Sequence, residues 1–256
     1  MEKSNIGEKI KLLTGSGMWH TREAEGLPSV HLSDGPHGLR KQEEKERQNN
    51  VSLVSTCYPT ASALACSWDV TAAERLGRAV AKEAWNADVA VLLGPGINMK
   101  RSPLCGRNFE YFSEDPFLAG RLGAAYVSAA QGENVAVSLK HFAANNQETN
   151  RQTSNSQIDE RALREIYLSA FEYVVKTARP ATVMASYNRL NGYYACENRH
   201  LLTEILREEW GYDGLVVTDW GAANDRVKGL IAGQDLEMPS SGTVNDSKVE
   251  AAVKDG

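Results

Sequence analysis

Short apolar runs of strand length alternate along this chain with amphipathic segments of helical length. That alternation is the pattern of βα units wrapped around a parallel sheet. The runs fall at residues 30–33, 59–64, 88–93, 135–140, 181–186, 215–218 and, shorter, 235–238. Helix starts are marked between them. Thr71 with Glu74 reads as a capping box, Asp115-Pro116 as a cap followed by a first-turn proline, and Asp159-Glu160 as the opening of a helix over 161–178. A further helix over 201–210 places Leu202, Ile205 and Leu206 on one side and stops at Gly211. Seven strands are visible where a (β/α)8 barrel has eight, and a doubly wound open sheet is the alternative. Polar residues after nearly every run favour the barrel, since a barrel collects its site at the strands' C-terminal ends. No glycine-rich dinucleotide fingerprint opens a helix, and Gly94-Pro95-Gly96 reads as a turn. The expectation is one α/β domain over 1–256, a (β/α)8 TIM-type barrel, with the polar stretch 40–52 as a solvated excursion.

Composition narrows the partners. The 256 residues carry a net charge of -5 with dispersed lysines and arginines, so no basic stripe points to nucleic acid or to an anionic membrane. The first residues lack the apolar core of a signal peptide and no stretch has the length of a membrane span, so the expectation is a soluble cytoplasmic protein acting on small neutral molecules. Cys57, Cys66, Cys105 and Cys196 form no CxxC pair and read as reduced thiols. His20, His31, His37, His141 and His200 make no HExxH pair, so neither a metal nor a cofactor is expected.

The chemistry concentrates at run ends. Leu215-Val216-Val217-Thr218 delivers Asp219, Trp220 and Gly221. A carboxylate there suits attack on an anomeric carbon, with the indole as a stacking face for a sugar ring, although Asp219 alone reads equally well as a helix cap. Asp34, in Ser33-Asp34-Gly35-Pro36-His37-Gly38, sits where a carboxylate accepts paired hydrogen bonds from vicinal hydroxyls, or closes its own turn. Arg107, in the stretch from Gly106 to Pro116, offers a bidentate fork, while Glu114 and Asp115 belong to the following helix start. Lys140 and His141 are adjacent, and adjacent strand residues point to opposite faces. If both bind ligand, a bulge or an unusual peptide geometry is required there. A Schiff-base aldolase built on Lys140 is the rival chemistry, but it leaves Asp219-Trp220 without a role. Arg151 lies in a polar loop, Tyr187 can hydrogen-bond a nucleophile carboxylate, and Met184 can pad a sugar's apolar face.

In order, Ser33-Asp34-Gly35-Pro36-His37-Gly38, Gly106-Arg107-Asn108-Phe109-Glu110, Lys140-His141-Phe142, Met184-Ala185-Ser186-Tyr187-Asn188, Val217-Thr218-Asp219-Trp220 and Asp235-Leu236-Glu237-Met238-Pro239 resemble the barrel domain of glycoside hydrolase family 3, from about Leu12 to Gly256. The resemblance implies an exo-acting β-glucosidase that retains configuration, with Asp219 as nucleophile. It implies that Asp34, Arg107, Lys140, His141, Arg151, Met184, Tyr187 and Trp220 line the subsite of the terminal sugar, and that the substrates are β-glucosides or short β-linked gluco-oligosaccharides. A neighbouring lysine or arginine is expected to lower the nucleophile's pKa. The resemblance also implies a barrel that stops partway through its last helix, with the general acid supplied by a following α/β sandwich domain. The chain alone is then expected to turn over little substrate. A branch of the family that places its acid on a barrel loop as Asp-x-His is not matched, since the corresponding loop reads Asn145-Asn146-Gln147-Glu148-Thr149-Asn150-Arg151. A β-xylosidase or arabinofuranosidase of the same family and a non-catalytic sugar-binding remnant are the alternative readings.

Overall fold

The computed structural model describes residues 6–24, 26–42 and 51–256. The strands among them are β1 (Leu32–Asp34), β2 (Val91–Leu93), β3 (Ala136–Phe142), β4 (Asn155–Ser156), β5 (Thr182–Ala185), β6 (Arg189–Leu190), β7 (Tyr193–Tyr194) and β8 (Leu215–Thr218). Five of them form a wholly parallel sheet in the order β1-β2-β3-β5-β8, with helices between successive strands. The other three make a small sheet, in which β4 runs parallel to β6 and β6 pairs antiparallel with β7.

The parallel sheet is closed by backbone bridges rather than by full strands. Val217 pairs parallel with Leu236, Glu237 parallel with Thr14, Gly15 antiparallel with Thr21, and His20 antiparallel with His31, the residue before β1. The circuit therefore returns to its first strand: a barrel in which the segments around residues 14–15, 19–21 and 235–238 stand in for regular staves, one of them reversed. Side chains alternate accordingly. Leu32, Val91, Leu93, Met184, Val217, Leu236 and Met238 fill the interior. Leu92, Val137, Leu139, Val183, Ala185 and Val216 face out and pack with the helices.

Several expectations are corrected. Residues 59–64 do not form a strand: Ala61–Ala65 is a helix, with Thr60 accepting from the Ala63 N–H at 3.2 Å. A short apolar run does not distinguish strand from helix, and here three alanines, a leucine and a capping threonine decide it. The cap of the helix Val70–Asn86 is Asp69 rather than Thr71, because Asp69 already accepts from the Thr71 N–H at 2.8 Å. Residues 235–238 form no regular strand, but they run alongside β8: Leu236 bridges Val217, the Thr218 N–H donates to the Leu236 carbonyl at 3.0 Å, and the Asp235 and Leu236 N–H groups donate to the Val216 carbonyl at 2.9 and 3.1 Å. The Asp115 and Asp159 caps stand as read. The helix over 161–178 is continuous in direction but runs from α through π to α at Glu160–Ala162, Leu163–Leu168 and Ser169–Ala178. The helix His200–Glu209 is of π type, and Gly211 after it takes a positive φ of 70°. Of the excursion 40–52, residues 43–50 lie outside the described residues, while Gln42 and Ser52 pair at its base. No helix of the described residues is long and apolar enough to cross a membrane.

At the closing bridge, His31 Nδ1 lies 3.0 Å from His20 Nε2. Burial pushes the His31 pKa down to about 4, helped by His20 and Lys41. The unfolded chain protonates His31 near pH 6.5, so between about 6.5 and 4 the unfolded state binds more protons and stability falls as pH falls. His31→Gln is expected to reduce the loss of Tm over that interval without removing it, because His37 and His141 are also shifted down. Thermal melts across the interval with the same slope in the variant would contradict this.

Candidate active site

The site is built at the C-terminal ends of β1, β3 and β8. Along β3, Leu139 and Phe142 both pack outward, Phe142 against Phe171 and Trp210. Regular alternation leaves one residue between outward positions, but two lie between Leu139 and Phe142, and the register against β5 shifts there. The Lys140–His141 and Phe142–Ala143 peptide bonds are cis. Lys140 and His141 are thereby both turned inward, as their joint use requires. Asn98 holds the altered backbone on both sides: it donates to the His141 carbonyl at 2.8 Å and accepts from the His141 N–H at 2.7 Å.

The His141 ring is fully buried and has a definable tautomer. Arg107 Nη2 lies 2.7 Å from its Nε2, and a guanidinium only donates, so Nε2 accepts. The ring proton is then on Nδ1, facing the Tyr111 hydroxyl at 2.9 Å and Asn98 Oδ1 at 3.4 Å. Burial, with Arg107, Lys140 and Arg151 nearby, holds the His141 pKa well below its usual value. The donor on Nε2 and the lowered pKa both favour the neutral imidazole.

Ionised side chains alternate in sign around the mouth. Asp34 meets Lys140 at 3.4 Å, and Lys140 meets Glu110 at 3.7 Å. Glu110 accepts from Arg107 Nε in a short contact, Arg107 lies 4.0 Å from Glu148, and Glu148 meets Arg151 at 3.0 Å. Burial alone raises the Glu110 carboxyl, but Lys140 and Arg107 outweigh it and hold its pKa below the usual range. Arg151 lies over the Tyr187 ring, 4.6 Å from its centroid.

Asp219 is the odd charge. It is 7% exposed, its Oδ1 accepts from the Trp220 N–H at 2.8 Å, and its Oδ2 lies 3.7 Å from His141 Nε2. That Oδ2 accepts no hydrogen bond among the described residues. Burial raises its pKa, and Arg107, Lys140 and the Trp220 N–H pull it back only in part. The expected lowering by neighbouring cations is present as a contribution, yet the net shift is upward because desolvation exceeds it.

The other expected residues take distinct places. The Tyr187 hydroxyl donates to the Trp220 carbonyl at 2.8 Å and also lies close to the Asp219 carboxylate, and burial followed by Asp219 raises its pKa. Trp220 donates from its ring N–H to the Met18 carbonyl at 2.7 Å and packs against Trp19, ring centroids 5.2 Å apart. Met184 is buried in the barrel interior, beneath the mouth rather than open to it. Sequence reasoning gave no role to Glu110, Tyr111, Asn98 or Glu148. For Glu110 a signal existed, its spacing of three from Arg107, which puts both side chains on one face of the turn Asn108–Glu110. Nothing in the sequence marks Asn98. No group of three or more His, Cys, Asp or Glu among the described residues is placed to hold a metal ion.

Comparison with known proteins adds to this geometry. Residues 36–256 match the glycosyl hydrolase family 3 N terminal domain. The whole chain is 54% identical to the thermostable beta-glucosidase B of Acetivibrio thermocellus, over 34% of that protein's length. Over 98% of the chain it is 50% identical to an exo-alpha-(1->6)-L-arabinopyranosidase of Bifidobacterium longum, again 34% of that protein. Among solved structures, 99% of the chain superposes on 36% of a Bifidobacterium adolescentis GH3 beta-glucosidase with a TM-score of 0.93 at 49% identity. It superposes on 39% of beta-glucosidase 3B from Thermotoga neapolitana, in complex with glucose, with a TM-score of 0.92 at 40% identity. The chain thus spans about a third of the length of the relatives it matches.

A raised carboxyl pKa costs stability once the group ionises: between the unfolded and the folded pKa the folded state binds the extra proton, so stability falls as pH rises through that window. Asp219→Asn is therefore expected to melt above the unaltered chain at pH 7, each kcal/mol regained adding about 2–4 °C in a chain of this size. The gap should close as pH falls toward the ordinary carboxyl range. An equal or lower Tm for the variant at pH 7 would contradict the incompletely compensated desolvation of Asp219.

Proposed function

The chain belongs to glycosyl hydrolase family 3, and from that premise we propose that it is the nucleophile-bearing part of a retaining, exo-acting β-glucosidase. One observation carries the reading. Asp219 Oδ2 is a buried carboxylate oxygen, free of hydrogen bonds among the described residues, at the end of a barrel strand and beside a neutral histidine and an arginine. Such an oxygen is available for a bond to the anomeric carbon, and the carboxylate gains stabilisation when the sugar closes over it and takes on positive character. Asp34, Arg107, Lys140, His141, Arg151 and Tyr187 offer charge-assisted hydrogen bonds to the hydroxyls of a terminal β-glucosyl unit. Trp220 offers the stacking face, and Met184 supports the floor from below.

Retention needs a second carboxyl about 5–5.5 Å from the nucleophile, protonated at working pH. Glu110 does not suit that role, since Lys140 and Arg107 hold its pKa below the usual range, and Asp34 and Glu148 are each engaged in an ion pair with a lysine or an arginine. We therefore assign the general acid to a second α/β domain outside this chain, in keeping with the larger size of the relatives. The free cysteines favour a reducing compartment, the cytoplasm, as the place of action.

The 50% identical arabinopyranosidase supports a second reading, a pentopyranosidase, whose substrate ring lacks the hydroxymethyl group. A panel of aryl glycosides cleaved by the protein that carries this chain separates the two. The expected order is β-glucoside above β-xyloside and α-L-arabinopyranoside, and the reverse order would favour the pentose. Asp219→Asn should keep glucose binding in calorimetry and lose cleavage by roughly 10³-fold or more. Full activity in that variant would refute the nucleophile.

A further inference from the structure

We propose that Glu110 is a positioning residue, a carboxylate that holds the Arg107 guanidinium and the Lys140 ammonium apart and aims both at the bound sugar; this rests on the reading of the mouth as a sugar pocket. Glu110 is nearly fully buried, with 6% of its surface exposed. Its two oxygens divide the work: Oε1 takes Arg107 Nε, and Oε2 faces Lys140 Nζ at 3.7 Å. Each cation keeps a second contact beside Glu110. Arg107 directs Nη2 to His141, and its Nη1 is buried without a partner among the described residues. Lys140 reaches on to Asp34. Both cations also act on Asp219, as the two largest influences that draw its pKa down against burial.

Glu110 competes with Asp219 for the same two cations. A shared anion between them keeps two like charges in one buried site and prevents their collapse onto the nucleophile. Without it, Arg107 is left with the more distant Glu148 at 4.0 Å and with Asp219, and Lys140 is left with Asp34. The carboxylate also contributes to a charge-neutral ring, so the sugar meets oriented donors rather than a cationic cluster. The turn Asn108–Glu110 delivers the residue, and that turn is tied to the helix Ala61–Ala65 by Ser62, which donates to the Asn108 carbonyl at 2.7 Å.

Two variants separate positioning from simple support. Glu110→Gln keeps size and removes charge; Glu110→Asp keeps charge and retracts it. Glucose binding measured by calorimetry is expected to weaken about 10–100-fold in Glu110→Gln, the usual scale for groups that orient others, and to be partly restored in Glu110→Asp. The rate at which a dinitrophenyl fluoro-deoxy-β-glucoside labels the chain supplies the second readout. In Glu110→Gln the labelling maximum should drop while its acid limb moves to lower pH, because the released cations turn onto Asp219. A residue that only supported the fold would lower binding and Tm together in both variants and leave the acid limb in place, which would overturn the proposal. Unchanged glucose binding and an unchanged limb in Glu110→Gln would overturn it equally. If the unaltered chain binds glucose but takes no label, the nucleophile reading fails and the glucose series alone decides Glu110. If it does neither, both readings fall.

Discussion

Lys140 and His141 are consecutive in a strand and yet face the same way, and the mouth of the barrel is arranged around that fact. A regular strand offers one inward residue in two. By breaking the alternation between Leu139 and Phe142, β3 presents a cation and a buried imidazole side by side while keeping both flanking apolar residues in the outer core. The backbone polar groups exposed by the break are not lost: Asn98 takes the N–H and the carbonyl of His141 together. Arg107 and Tyr111 then complete the ring from a second loop, so the irregular stretch of β3 joins three segments.

Electrostatics follows from this placement. The sequence of partners Asp34, Lys140, Glu110, Arg107, Glu148 and Arg151 alternates in sign, so the charges cancel pairwise, with Lys140 and Glu110 buried and the others partly exposed. Asp219 is left over, with its desolvation only partly offset. Burying this carboxylate therefore costs stability that its neighbours do not fully restore. Beneath it Met184, Val217 and Met238 form an apolar cluster against which Trp220 and Trp19 pack.

The barrel was legible in the chain because the parallel strands are buried on both faces and read as apolar runs between helical segments. The staves that were missed carry no such signature. Around residues 14–15 and 19–21 the chain contributes single bridges, with glycine, histidine and threonine in place of a β-branched run, and closure there depends on pairing partners distant in sequence. The run at 59–64 was misread for the converse reason, since alanine and leucine serve a buried helix as well as a strand. In the site, Asp219, Arg107, Lys140 and His141 were visible as chemistry-bearing residues at strand or loop ends. Glu110 and Asn98 act on other side chains and on the backbone: for Glu110 the spacing of three from Arg107 is a mark of that role, while nothing in the sequence marks Asn98. Parity alone puts Lys140 and His141 on opposite faces, so an irregular backbone there is an expectation only if both bind ligand, whereas the upward shift of Asp219 depends on how deeply the carboxylate is buried, which only the fold determines.

The most direct measurement is intact-mass spectrometry after incubation with a dinitrophenyl fluoro-deoxy-β-glucoside, whose leaving group needs little acid assistance, followed by peptide mapping. One adduct per chain located at Asp219, and absent in Asp219→Asn, is the predicted result. A folded, monodisperse chain that takes no label, or that takes it at another residue, would contradict the assignment of Asp219 as the nucleophile of a preformed sugar pocket.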